Sequence, residues 1–219
     1  MLSNSKKFQS DMVISISALS IKVGACRICY DTPIGKALPH APRPVVQLSP
    51  TAKICIAGQA PGMRVHQTGI PFNDPSGDRL RDWIGVGREV FYDHNQIAIV
   101  PMGFCFPGYD KKGSDLPPRK ECRIAWHDEI FAAMPQLELI LVIGQYAQHY
   151  HLGSKRKKSV TETVAAAREI WNGPDAPRYL PLPHPSWRNT GWLKKNLWFE
   201  DEILPMLRQE VAKLLKTER

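Results

Sequence analysis

The sequence lacks a long apolar run, an internal repeat and a dense set of cysteines, and each absence narrows what the chain can be. Its most apolar early stretch, residues 12–23, is interrupted by Ser15, Ser17, Ser20 and Lys22. That stretch is too short to cross a bilayer, so no membrane association is expected. Five cysteines in 219 residues fall short of the framework that staples small secreted domains. No secretory leader pattern is visible, so the expected compartment is the cytoplasm, where reducing conditions suit thiolate chemistry. Acid is in deficit: 29 Lys and Arg face 21 Asp and Glu, giving a net charge of +8. Such a balance permits a polyanionic partner without requiring one. Length and ordinary apolar content suit a single domain over residues 1–219, with a polar, frayed segment at 1–10.

What is present is more specific. Cys26 and Cys29 form a C-x2-C in GACRICY, and Cys105 and Cys122 close a second pair in GFCFPGYDKKGSDLPPRKEC. Four thiolates from two distant segments can complete a tetrahedral shell around zinc or hold a four-iron cluster, and spacing leaves both open. Cys55, inside the apolar run KICIAG, reads as a small buried residue.

Four apolar runs have strand character: residues 53–58, 96–101, 137–144 and 178–184. Helical patterns fall at 11–22, 77–84, 119–134, 145–152, 160–171 and 197–215. Continuous Val/Ile/Leu runs alternating with helices predict a three-layer α/β fold, with a central, mainly parallel four-stranded sheet. Residues 31–49, rich in proline, form a long extended connection whose ends need anchoring. In open sheets of this kind ligands bind beyond the carboxyl ends of the strands. GQAPG, PMGFC, IGQYAQ and PHPSW all fall at such ends, which predicts one shared cleft. The basic run Lys155 to Lys158 reads first as a solvated loop.

Two motifs then carry a family likeness. Gly58-Gln59-Ala60-Pro61-Gly62 is followed by Thr68-Gly69-Ile70-Pro71-Phe72, and His184-Pro185-Ser186 comes late in the chain. In this order, with the four cysteines, they resemble the iron–sulfur branch of the uracil-DNA glycosylase superfamily. The likeness extends from about Cys26 to Leu215. TGIPFNDPSGD is most similar to the broad-specificity family-five type, while VHQTGIPF and HPSWRN also resemble single-strand-selective monofunctional glycosylases.

The resemblance implies an enzyme that excises a base from DNA. Such an enzyme draws the target base from the stack, holds it against an aromatic ring and reads its polar edge. Bond cleavage builds positive charge on the sugar and negative charge on the leaving base, so a carboxylate and a hydrogen-bond donor are needed. By resemblance Phe72 is the stacking ring, His184 the donor to the leaving base, and Gly58 to Gly62 the wall against the flipped nucleotide. Many relatives carry an acid or asparagine in that loop, where this chain has Gln59 and Ala60. The expected carboxylate is then Asp74, which matches an aspartate just after the phenylalanine once one residue is deleted. Asp78 suits a helix start instead, and His66 is a third candidate for activating water. Where uracil-specific relatives carry asparagine, four residues before the third cysteine, this chain has Pro101, with no donor to offer. A looser pocket shaped by Met102, Gly103 and Phe104 is therefore expected.

After His184, Ser186, Trp187 and Arg188 are expected at the DNA, with Trp192 in the core. The implied cofactor is a 4Fe-4S cluster on Cys26, Cys29, Cys105 and Cys122, with zinc as the alternative. The implied partner is DNA containing deaminated bases, bound by a monomer. The activity expected is monofunctional removal of uracil, and of hypoxanthine or xanthine, leaving an abasic site. Two other readings compete with it. One is a superfamily member that binds damaged or single-stranded DNA without cleaving it, and the other a metal-stabilised module for RNA or protein partners.

Overall fold

The computed structural model describes residues 15–215, so the expected frayed segment at 1–10 lies outside the described residues. The first helix, expected from residue 11, is α1 (Ile16–Gly24); positions 11–14 of that reading also lie outside them. Ser15 caps it, its hydroxyl accepting from the Ala18 N–H at 3.2 Å. A single turn, α2 (Ile28–Asp31), carries Cys29.

The long connection expected at 31–49 begins with Asp31 in α2 and bends repeatedly through residue 40; only its far end is extended, and that end lies along the sheet. Val45 N–H donates to Phe104 at 2.7 Å, and Gln47 exchanges backbone hydrogen bonds with Ile99 at 2.9 and 2.7 Å. The buried Gln47 amide donates to the carbonyls of Ile97 and Phe91. An outer strand exposes unpaired backbone groups, and this segment covers them.

The strands are β1 (Ile54–Ala57), β2 (Ile97–Ile99), β3 (Leu139–Ile143) and β4 (Arg178–Leu182), each shorter than its apolar run. They pair in the order β2-β1-β3-β4, all parallel. Between β1 and β2 lie α3 (Met63–Thr68), α4 (Pro75–Ile84) and α5 (Arg88–Tyr92); the sequence reading had only the second. The helix expected at 119–134 is α6 (Lys120–Cys122), a wider π-helical turn (Arg123–His127) and α7 (Asp128–Ala132). β3 leads directly into α8 (Gly144–Leu152). The pattern at 160–171 divides at Ala166 into α9 (Val160–Ala165) and α10 (Ala167–Trp171). After β4 come a 3-10 turn (Trp187–Asn189) and α11 (Thr190–Lys195). A second π-helical turn (Phe199–Ile203) then leads into α12 (Leu204–Leu215).

Alternation along each strand divides the core in two. Ile54, Ile56, Ile97, Ile99, Leu139 and Leu141 face a cluster with Trp83, Phe199 and Leu207. Cys55, Ala57, Ala98, Val100, Ile140 and Val142 face the other side, against Leu19, Ile130 and Cys105. Burying each large aliphatic stabilises by roughly 1.5–3 kcal/mol, and the sheet does so on both faces. Small residues on the second face leave room for the cysteine-bearing segments. Among the described residues no helix is long and apolar enough to cross a membrane.

Candidate active site

A cleft of about 340 Å³ opens where the strands end. Its walls include Gly58 to Gly62 after β1, Pro101 after β2 and His184 after β4, with Phe72, Asp74 and Asp115. The parallel sheet aims all its carboxyl ends the same way, which brings these distant segments together.

Phe72 has a left-handed backbone, φ 52°, rare for an aromatic residue. Two glycines hold it there. A Cβ on Gly77 would stand 1.8 Å from the Phe72 carbonyl oxygen, and one on Gly58 would stand 3.3 Å from Phe72 Cζ. The ring meets Phe91 edge-on at 6.0 Å, and the Tyr92 hydroxyl donates to the Pro71 carbonyl at 2.9 Å. An aromatic face is thereby fixed in the cleft.

Asp74 is the N-cap of α4, one carboxylate oxygen accepting from the Gly77 N–H at 2.9 Å. Its position both stabilises the helix start and places a carboxylate beside His184. Burial holds the His184 imidazole below its ordinary pKa, and Asp74 pulls the other way. The Ser186 N–H donates to Nδ1 of His184 at 3.2 Å. Asn189 donates its amide to the His184 carbonyl at 2.7 Å, so it ties down the motif rather than reaching outward. Arg79 donates to the Ser186 carbonyl at 2.9 Å and to Thr190 Oγ1, locking the turn after the histidine onto α4.

Beyond that turn Trp187 is 70% exposed, with the Arg188 guanidinium 5.9 Å from its ring. Trp192 instead packs against Trp198 and Phe199, with its indole N–H donating to Thr161. Trp192 is thus packed on the core, as expected, while Trp187 is free to meet solvent. Lys157 of the basic run pairs with Glu169 at 2.9 Å and Lys155 with Asp175, so two of its four charges are engaged by acids.

Some expectations change. Asp78 and His66 are not among the cleft residues. Asp78 pairs with Arg81 in the first turns of α4, and His66 packs tilted against His40 with ring centroids 4.2 Å apart. The Gln59 side chain lies against Gly144, and the Gln59 backbone carbonyl accepts from the Gly103 N–H at 2.8 Å. Pro101 does line the cleft, but Met102, Gly103 and Phe104 do not. Met102 and Phe104 turn into the core under the sheet, because successive residues leaving a strand point to opposite faces. His127 donates its Nε2–H to the Pro101 carbonyl, 3.2 Å away; burial pushes its pKa down to about 4.

Asp115 was missed in the sequence. It sits exposed at the cleft rim, on the loop between β2 and α6. Partial burial raises its pKa, opposed by Arg188 and reinforced by Asp74. Nothing in the run GSDLPP distinguished it from an ordinary turn aspartate.

The cysteines converge beneath this loop. None is in a disulfide. Cys29 and Cys122 interact directly, and Cys105 is close enough to Cys26 and Cys29 to feel their charge. The Trp126 indole donates to Cys26 Sγ at 3.2 Å, and Phe104 N–H donates to Cys122 Sγ at 3.3 Å. Among the described residues, however, no group of three or more His, Cys, Asp or Glu side chains is arranged to hold a metal ion. Cys55 is fully buried within β1, and burial raises its pKa to about 12.

Residues 45–208 match the uracil DNA glycosylase superfamily, a span that takes in the whole sheet, the cleft and the second cysteine pair. The chain belongs to that superfamily.

Proposed function

We propose that the chain is a monofunctional DNA glycosylase that hydrolyses the N-glycosidic bond of uracil, and of other deaminated bases, leaving an abasic site. The observation that carries this reading is the meeting of the GQAPG loop, the loop bearing Phe72 and Asp74, and His184 on one cleft from three separate segments. Phe72 stacks the flipped base against the glycine-walled loop, where Gly58 permits close approach. Neutral His184 accepts from Ser186 at Nδ1, so its ring proton resides on Nε2 and can donate a hydrogen bond to the departing base anion. The free oxygen of Asp74 orients water and stabilises the cationic sugar. No lysine is among the residues lining the cleft, which suits hydrolysis without a Schiff-base step. Pro101 at the wall offers no side-chain donor, which favours a pocket tolerant of several deaminated bases. Trp187 and Arg188 stand exposed at the rim to meet the DNA, Trp187 filling the gap left by the base.

The proposed cofactor is a 4Fe-4S cluster of the family-five type on Cys26, Cys29, Cys105 and Cys122, with zinc as the alternative. All-thiolate donors with N–H groups aimed at two sulfurs suit such a group. Its contribution would be structural, tying the N-terminal connection to the Cys105–Cys122 loop.

Incubation with oligonucleotides carrying uracil, hypoxanthine or xanthine, single- and double-stranded, tests the reading. Free base and an alkali-labile site are expected. The absence of acid from GQAPG favours one rival, a superfamily member that binds damaged DNA without cleaving it. Tight binding with no released base would establish that rival instead.

A further inference from the structure

The loop that walls the cleft carries no acid of its own, yet a carboxylate lies against it. A Cβ on Gly62, at the end of GQAPG, would stand 3.8 Å from Asp115 Oδ2. The loop bearing Asp115 folds back on itself. Tyr109 bridges to Asp115, Asp110 accepts from the N–H groups of Lys112 and Ser114, and Leu116 N–H donates to the Gly108 carbonyl at 2.9 Å. Asp115 is thus presented at the rim by a formed turn, facing Asp74 and Arg188.

Its location is electrostatically costly for binding alone. A negative side chain at the mouth of a cleft for DNA repels the phosphates that a basic protein otherwise attracts. Two aspartates at that mouth suit a different task, the stabilisation of a sugar that becomes positive as its base departs. Asp74, moreover, has one oxygen committed to the first turn of α4.

We infer that Asp115 is a second catalytic carboxylate, supplied from the loop after β2 in place of the acid missing from GQAPG, and that it accepts the proton of the attacking water. This inference rests on the glycosylase reading above. The water oxygen forms the new bond to C1′ as the C1′–N bond breaks, and that bond's electron pair leaves with the base. Asp115 takes the water proton while Asp74 holds the oxygen in line and His184 donates a hydrogen bond to the base anion. Asp115 later releases its proton to solvent, and the base is protonated after departure. The upward shift of Asp115, which burial initiates and Asp74 reinforces, favours holding that proton.

Single-turnover excision by wild type, Asp115→Asn and Asp74→Asn decides the matter, with binding measured in parallel on a 2′-fluoro oligonucleotide that resists cleavage. An exposed rim position makes Asp115→Asn compatible with folding. The expected result is a loss of about 100-fold or more in the excision rate, the usual scale for removing a general base. Binding should be unchanged or tighter, because a charge that repels phosphate is gone. A rate within about 3-fold of an active wild type would overturn the role of Asp115 while leaving the glycosylase reading intact. A parallel loss of rate and binding would also overturn it, marking Asp115 as a contact for DNA. An inert wild type on all three bases would instead fail the underlying reading.

Discussion

The Ser186 backbone N–H donates to Nδ1 of His184 across 3.2 Å, and that bond decides what the histidine can do. With Nδ1 occupied as acceptor, the neutral ring must carry its proton on Nε2. The turn that positions Trp187 at the rim therefore also sets the tautomer of the donor. Arg79 fixes the same turn from α4, so helix, tautomer and rim are one assembly.

The first prediction concerns protonation. Burial lowers the His184 pKa, with Asp74 opposing, so the imidazole should remain neutral through pH 7. The neutral donor is then present at neutral pH and converted to imidazolium only as pH falls below the ordinary histidine range. NMR titration of the ring nitrogens reads this directly. A midpoint above the ordinary value of about 6.5 would contradict it. His184→Ala should slow excision by roughly 10²–10³, the scale for losing one donor to a developing anion.

The second concerns the glycines behind Phe72. Gly77→Ala puts a Cβ 1.8 Å from the Phe72 carbonyl, a backbone atom with no easy escape. A loss of about 3–4 kcal/mol is expected, at the severe end for a single substitution. Gly24→Ala, at the end of α1 with nothing within 4 Å, should be neutral or stabilise by up to about 1 kcal/mol. Urea unfolding of both variants makes the comparison, and equal midpoints would show that the Phe72 backbone is not so constrained.

The third separates the rim from its support. Trp187→Ala removes an exposed ring, so the melting temperature should not move. If Trp187 fills the gap in the helix, excision from duplex DNA should fall by about 10-fold or more, and from single strands much less. Arg79→Met should slow both substrates, because it releases the turn that orients His184. Equal loss on duplex and single strand for Trp187→Ala would refute the wedge.

Much of this was legible in the chain itself. Four apolar runs became four parallel strands, because residues buried on both faces must be apolar without alternation. GQAPG and HPS announced the cleft by falling at strand ends, TGIPF by following GQAPG, and Asp74 and His184 meet there. Short helices such as α3 and α5 were not readable, since five or six residues span too little for a helical period to show.

The sequence by itself determined the layered α/β fold and the family motifs, for strand burial and tight glycine turns are local demands on residue type. Only the tertiary structure decided which polar groups share the cleft. It brought Asp115 to GQAPG from the loop after β2, and sent Asp78 to Arg81 and His66 to His40. It also took Met102 and Phe104 out of the pocket and into the core. The physical reason is that a parallel sheet gathers loops far apart in the chain, and their mutual approach is set by packing beneath them rather than by their own spacing.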